Sequence, residues 1–287
     1  MTTVAMFLHP GRPDAIDAAR LVAEWLTARG HKVVSTEQEV GLLGDPSQHG
    51  VAVDHDTGAV ELVVSIGGDG TMLRATRRAV EAGAVVIGVN LGQLGYLAEV
   101  EPGGWEEALS TYFRGEHQIA ERMLVAGTVH RADGSVLLEL PLGLNEVVVE
   151  KQSLGRTVRL GVSIDGRFFT NYVADGLILA TPTGSTAYSL SARGPIVDPT
   201  HRAMLLTPVS PHSLFDRSLV LDPASEVEVA VLGDRAAAVS VDGEELGVLE
   251  PGCRVTVAPS PTPARLVTFG TRDFHQILKA KFGLSDR

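Results

Sequence analysis

Over the first 120 or so residues, short apolar runs rich in β-branched side chains alternate with amphipathic stretches. Residues 4–9 read as a strand, 14–29 as an amphipathic helix and 31–35 as a second strand, a βαβ opening. Residues 60–66 form the short, mostly apolar run expected of a buried parallel strand. From Thr71 to Ala82, the apolar residues Met72, Leu73, Ala75, Ala79 and Val80 recur at helical spacing, with Arg74, Arg77 and Arg78 between them. Residues 84–90 return as a strand. Such alternation predicts a parallel sheet covered on both faces. Between the two βαβ stretches, residues 37–58 contain Gly41, Gly44, Asp45, Pro46 and Gly50, show no clear period and read as a long loop.

After about Met123 the pattern changes to short β-rich runs separated by Gly, Asp and Pro, which marks a domain boundary. Strands are expected at 124–131, 136–140, 146–150, 158–164, 167–173, 176–180, 226–232, 237–241 and 254–258. The helical pattern inside this half is confined to 187–193. Residues 273–282 place Phe274, Ile277, Leu278 and Phe282 on one face, a terminal helix that needs a partner surface. The division predicted is an α/β domain over 1–123, a β-rich domain over 124–270 and a C-terminal helix over 271–287 that packs back on the first domain.

The chain of 287 residues is long enough for two ordinary domains with substantial cores. Its 24 basic and 35 acidic residues give a net charge of -11, which disfavours sequence-independent nucleic-acid binding and anionic membrane surfaces. An anionic small molecule would therefore need a locally basic pocket. The single cysteine, Cys253, excludes an intramolecular disulfide and leaves too few thiols for a structural zinc site. With no signal-peptide pattern and no apolar stretch of membrane-spanning length, the expected compartment is the cytoplasm.

The most informative segment is Gly67-Gly68-Asp69-Gly70-Thr71, between a predicted strand and a predicted helix. Glycines allow close backbone approach to a ligand, and the free N–H groups of a helix start attract an anion. A carboxylate among such amides is electrostatically awkward unless it holds a cation or accepts a proton, so Asp69 points to chemistry. The plain alternative is that Asp69 caps the helix. A second strand, turn and helix follows Asp175, with Thr181, Thr183, Ser185, Thr186, Tyr188, Ser189 and Ser191 crowded around it. Ser185 or Thr186 would cap an ordinary helix here, and the remaining hydroxyls suit hydrogen bonds to a nucleotide base or ribose. Asn145-Glu146, opening a strand, combines an amide and a carboxylate fit to grip a ribose diol, or else forms a turn.

Together with the segments 88–97, 208–214 and Val241-Asp242-Gly243, these motifs resemble the NAD kinase family through most of the chain. The glycine motif alone is shared with lipid kinases of the diacylglycerol kinase type; the hydroxyl-rich segment is far more specific. The resemblance implies a Rossmann-like N-terminal domain and a β-rich C-terminal domain with the active site between them. It also implies transfer of a phosphoryl group from ATP or polyphosphate to the adenosine-ribose 2′-hydroxyl of NAD. Asp69 would be the general base, with Gly67, Gly68, Gly70 and Thr71 accommodating phosphates. Asn145 and Glu146 would hold a ribose, and Asp175 the nicotinamide end. Thr186, Ala187, Tyr188 and Ser189 would contact the adenosine part, with Leu190 and Ser191 in the same nucleotide-binding segment. Arg74 and Arg156 would lie near phosphates. Mg²⁺ is expected with ATP, and a homodimer or homotetramer is implied. Glu244 stands where many relatives carry glutamine, and Val173 where relatives vary in charge. A lipid kinase would need a membrane-facing apolar or basic surface, for which the sequence gives no sign, and a non-catalytic nucleotide sensor would have no need of Asp69.

Overall fold

A computed structural model describes residues 1–44, 49–54, 60–92, 94–153, 155–270 and 273–284. The chain opens with β1 (Thr3–Leu8), α1 (Pro13–Ala28), β2 (Lys32–Ser35), α2 (Glu37–Leu42) and β3 (Val51–Val53). It continues with β4 (Leu62–Gly67), α3 (Asp69–Ala82), β5 (Val85–Asn90), α4 (Trp105–Phe113) and β6 (Gln118–Arg122). Proline at the first position starts α1, where a missing N–H costs nothing. Its Ala15, Ala19, Val22, Ala23 and Leu26 form the buried face. Helix α3 ends on Gly83 in the left-handed region, φ 64°, where glycine avoids the Cβ penalty.

The expected loop over 37–58 is corrected by α2 and β3. Thr36 caps α2 by accepting the Glu39 backbone N–H, and β3 adds to the sheet edge through parallel pairing of Val33 with Val51. Both elements are too short for periodicity to reveal. Asp45, Pro46 and residues 55–58 of that expected loop lie outside the described residues, as does Gln93 of the 88–97 motif.

The second unit, Arg122–Pro263, holds β7 (Val125–His130), β8 (Val136–Glu139), β9 (Glu146–Lys151), β10 (Val158–Ile164), β11 (Arg167–Ala174) and β12 (Gly176–Ala180). After a 3₁₀ turn (Thr183–Thr186) come α5 (Tyr188–Ser191), β13 (Met204–Val209), β14 (Leu219–Leu221), β15 (Val227–Leu232), β16 (Ala237–Val241), β17 (Glu244–Leu249) and β18 (Arg254–Pro259). Two six-stranded antiparallel sheets result, in the orders β11-β10-β15-β18-β7-β8 and β14-β13-β12-β9-β16-β17. Alternate residues of both, such as Leu160, Val229 and Val255 against Val147, Leu177 and Val239, bury a common core, as in a β-sandwich. The outer face of the second sheet buries Val148, Ile178, Ala180 and Leu205 beneath Ala192 and Val197. The expected helix over 187–193 shrinks to four residues, because Ala187 breaks the helical backbone at φ −98°, ψ −128°.

The chain then returns to the first unit, Met1–Glu121 with Ala264–Arg287, through β19 (Ala264–Thr268) and α6 (Phe274–Phe282). The sheet order there is β3-β2-β1-β4-β5-β19-β6. Residues 264–270, expected in the β-rich domain, are thus corrected to the first unit: Leu266 pairs in parallel with Val86, and Val267 joins the core of that sheet. Asp273 caps α6 by accepting the His275 N–H, and Phe274 and Lys281 both meet the Tyr96 ring.

Candidate active site

In the first unit, β1 lies between β2 and β4, so the chain leaves β1 toward one side of the sheet and later fills the other. The carboxyl ends of β1 and β4 therefore flank a topological switch point, the usual ligand crevice of a parallel sheet. Gly67 to Thr71 sits there, with Gly67 closing β4 and Asp69 opening α3. A Cβ on Gly67 would overlap the Thr71 hydroxyl and come within 3.3 Å of the His9 side chain, so glycine here is a packing requirement. A Cβ on Gly68 or Gly70 would meet nothing within 4 Å. Those two positions face open space.

Asp69 does not cap α3; the cap position is Gly68, with no side-chain hydrogen bond. The Asp69 carboxylate instead accepts the backbone N–H groups of Tyr96 (2.8 Å) and Leu97 (3.1 Å). A Cβ on Gly95 would overlap that carboxylate. Asp69 thus faces the loop after β5, and Arg12 grips the same loop by donating to the Leu91 carbonyl. Arg74 turns toward the end of β1, where it donates to the Leu8 carbonyl at 2.9 Å and lies 3.6 Å from Glu39. Glu39 is buried and also accepts from Leu8 N–H, Ser35 and Thr36; burial raises its pKa against the lowering effect of these partners.

In the second unit, β9 is flanked by β12 and β16, and Glu146 pairs with Ala180. Asn145-Glu146 consequently lies between the hydroxyl-rich turn after β12 and the turn after β16. Glu146 is 5 % exposed, and its Oε2 has no hydrogen-bond partner. Burial, with a smaller push from the Asp242 charge, raises its pKa to about 8. Near neutral pH the group is largely a protonated carboxyl, able to donate as well as accept.

Most of the expected nucleotide-facing hydroxyls are engaged with the protein. Thr181 donates to the Leu144 carbonyl, and Ser185 exchanges hydrogen bonds with both backbone groups of Val197. Ser189 bonds Thr207 at 3.0 Å. Neither Ser185 nor Thr186 caps α5; Thr186 donates instead to the Thr183 carbonyl. Thr183 Oγ1 is buried without a partner, and Tyr188 and Ser191 are exposed. The Tyr188 hydroxyl, which donates toward Glu150 Oε2 at 3.5 Å, is held above its ordinary pKa chiefly by burial and by Glu150. Asp175 opens that pair at the opposite end from Asn145, ~20 Å away along the strand at about 3.3 Å per residue, and accepts from Lys151 Nζ at 2.7 Å.

Comparison with known proteins decides what this arrangement belongs to. The ATP-NAD kinase N-terminal domain matches residues 4–117, and the ATP-NAD kinase C-terminal domain matches residues 144–269. An NAD kinase of Heliobacterium modesticaldum is 39% identical over 285 residues, covering 98% of this chain and 98% of the relative. An NAD kinase of Moorella thermoacetica is 37% identical over 282 residues, covering 98% of this chain and 89% of the relative. The chain belongs to the NAD kinase family. The fold agrees with yeast NADH kinase complexed with NADH at a TM-score of 0.87 and 24% identity, covering 100% of this chain and 89% of that one. It also agrees with an Archaeoglobus fulgidus NAD kinase in complex with ATP, at a TM-score of 0.73 and 22% identity, covering 99% of this chain and 100% of that one.

The residues carried over from the NAD kinase family thus fall into two groups. Gly67, Gly68, Asp69, Gly70, Thr71 and Arg74 gather at the switch point of the first unit. Asn145, Glu146, Thr186, Ala187, Tyr188 and Ser189 gather at one end of the β9–β12 pair, continuing into Leu190 and Ser191, with Asp175 at the other end. Arg156 is exposed, in a cleft of about 220 Å³ lined also by Lys151, Thr157, Asp234 and Arg235. Sequence reasoning passed over Asp242 and Glu39 as chemical groups. Asp before Gly in Val241-Asp242-Gly243 signals a tight turn, and Thr36-x-x-Glu39 is a capping-box spacing; both signals are legible in the sequence.

Proposed function

We propose that this NAD kinase family member transfers the γ-phosphoryl group of ATP to the 2′-hydroxyl of the adenosine ribose of NAD, giving NADP. The observation that carries the reading is Asp69: a carboxylate on the first turn of α3, at a switch point, beside two glycines that leave room for a ligand. In the proposed step the 2′-oxygen bonds to the γ-phosphorus while its proton passes to the Asp69 carboxylate. The bond from phosphorus to the β,γ-bridging oxygen breaks, and its electron pair leaves on ADP. Phosphoryl transfer depends mainly on positioning and on neutralising the phosphate oxygens. The N–H groups at the start of α3 supply part of that, and Arg74 is proposed to add to it.

Asn145 and Glu146 are proposed to hold a ribose of NAD, with Glu146 entering as a neutral carboxyl. Asp175 takes the nicotinamide end, Thr186 to Ser191 the adenosine part, and Arg156 a phosphate. Among the described residues no three His, Cys, Asp or Glu side chains come together to hold a metal ion. Mg²⁺ is proposed as a companion of the ATP phosphates, whose charge it neutralises. The family resemblance supports a homodimer or homotetramer, a cytoplasmic setting and polyphosphate as a second donor; among the described residues no helix is long and apolar enough to cross a membrane.

The test incubates the purified protein with NAD, Mg²⁺ and either ATP or polyphosphate, and detects NADP with an NADP-specific dehydrogenase. NADP formation with ATP is expected. The NAD analogue lacking the adenosine-ribose 2′-hydroxyl should bind without being phosphorylated, and its phosphorylation would move the reaction to a different hydroxyl.

A further inference from the structure

Asp242 occupies the two-residue turn that joins β16 to β17, across which Val241 pairs with Glu244. Both turn residues have positive φ, Asp242 at 50° and Gly243 at 82°. That is the type I′ hairpin turn, for which Asn-Gly and Asp-Gly are the favoured pairs. Turn geometry alone would thus accept asparagine equally well. What an asparagine could not do is accept on both side-chain oxygens. Asp242 Oδ2 accepts the Leu144 N–H at 2.8 Å, while Oδ1 accepts those of Asn145 at 2.7 Å and Glu146 at 3.0 Å. The Asp242 N–H in turn donates to the Glu146 carbonyl at 3.0 Å.

The other side of the same segment is held as firmly. Thr181 donates its hydroxyl to the Leu144 carbonyl and its N–H to the Asn145 carbonyl. Gly184 packs so closely that a Cβ there would overlap the Asn145 carbonyl. Every backbone N–H and C=O from Leu144 through Asn145 is consequently fixed, as is the N–H of Glu146, before any ligand arrives. Loose placement of binding groups by even an ångström is costly, so such anchoring serves the side chains it orients.

We propose that Asp242 is a positioning residue of the substrate site: by binding three consecutive N–H groups, it holds Asn145 and Glu146 in the orientation that grips NAD. This rests on the assignment of that pair to NAD binding. A half-buried aspartate set beside the buried Glu146 carboxyl is explained by this role, since the turn itself would accept asparagine. Asp242 touches no substrate in this account and acts only through the 144–146 backbone.

Asp242→Asn keeps the favoured turn but sets an NH₂ against at least one backbone N–H. Calorimetry with NAD should show a Kd raised about tenfold or more, while the KM for ATP stays within twofold of the parent. In a Glu146→Ala background the same change should add less than threefold. An NAD Kd within twofold of the parent, an equal rise in the KM for ATP, or a full tenfold effect in the Glu146→Ala background would each overturn the proposal. Should Asp242→Asn fail to fold, Thr181→Val, which frees the Leu144 carbonyl, must give the same NAD-selective loss, and normal NAD affinity there overturns it too. Parent protein that binds NAD yet forms no NADP would count against the proposed reaction while leaving this test intact; parent protein that binds no NAD would overturn both.

Discussion

The two constellations solve opposite problems with a carboxylate. At Asp69 the carboxylate is half-buried, at the start of a helix, and satisfied by two N–H groups from a neighbouring loop. At Glu146 it is buried, beside a second acid, with one oxygen unpaired. The two N–H groups fix the Asp69 carboxylate in place at the open end of the sheet, whereas a carboxyl kept neutral by burial suits a fixed hydrogen bond to a polar ligand. The glycines differ in the same sense. Gly184 is forced by protein packing, while Gly68 and Gly70 face open space. One site is built tight around itself and the other is left open, and this is the contrast that mutation can break.

The largest effect is expected at Asp69. General-base removal typically costs about 10²–10⁴-fold in rate, so Asp69→Asn should lose most of kcat while NAD affinity falls much less. Steady-state NADP formation, with calorimetry on the same folded variant, checks both halves. Because Asp69 also accepts the Tyr96 and Leu97 N–H groups, the asparagine oxygen can keep only part of that contact. Turnover comparable to the parent would remove the general-base role.

The glycines sharpen the contrast next. Gly184→Ala drives a Cβ into the Asn145 backbone and should lower stability by about 3 kcal/mol or more, with NAD affinity lost alongside. Gly70→Ala should leave the urea midpoint nearly unchanged, since its Cβ meets nothing and its φ is not positive. If Gly70→Ala nevertheless raises the KM for ATP, the space belongs to the donor phosphates. Equal destabilisation by the two changes would erase the distinction.

Legibility in the sequence followed length and periodicity. The parallel core strands and α1 and α3 were plain because apolar residues recur at the right spacing over many positions. Helix α2, six residues with Gly41 inside, offers no period, and only its capping residue betrays it. Strand β19 looks like any other strand of the β-rich half; its place beside β5 is a tertiary fact that local pattern cannot carry. The hydroxyl-rich turn was read as ligand chemistry from composition, yet Thr181, Ser185 and Ser189 chiefly bind the protein itself. Asp242 was visible as part of a motif shared with the family, but its contacts were not, because they reach backbone N–H groups nearly a hundred residues away in sequence.

Titration tests the buried acid of the second site. With a folded pKa near 8 against an ordinary 4.5, Glu146 keeps its proton in the native state over a range where the unfolded chain has lost it. Its contribution is therefore fully present below about pH 4.5 and is lost as pH rises through about 8. Glu146→Gln, which cannot ionise, should flatten this part of the stability profile, on the order of 4 kcal/mol between pH 5 and 9. Urea midpoints across that range measure it. Profiles that run parallel for variant and parent would show that Glu146 is ionised in the folded protein.

The smallest effect is expected at Arg74. The guanidinium is well placed on the first turns of α3, but it already donates to the Leu8 carbonyl and lies 3.6 Å from Glu39. To grip a donor phosphate it must weaken those contacts, so the donor gains only the difference. The side chain is also about half exposed, where ion pairing is worth roughly 0.2–1 kcal/mol. Arg74→Ala should therefore raise the apparent KM for ATP only about two- to fivefold, with the KM for NAD unchanged. It also leaves Glu39 buried without its nearby cation, so a modest loss of stability should accompany the kinetic change. Stability loss without any change in the KM for ATP would assign Arg74 to the Glu39 cluster alone, and the open site at Gly68 and Gly70 would then rely on backbone N–H groups for its positive potential.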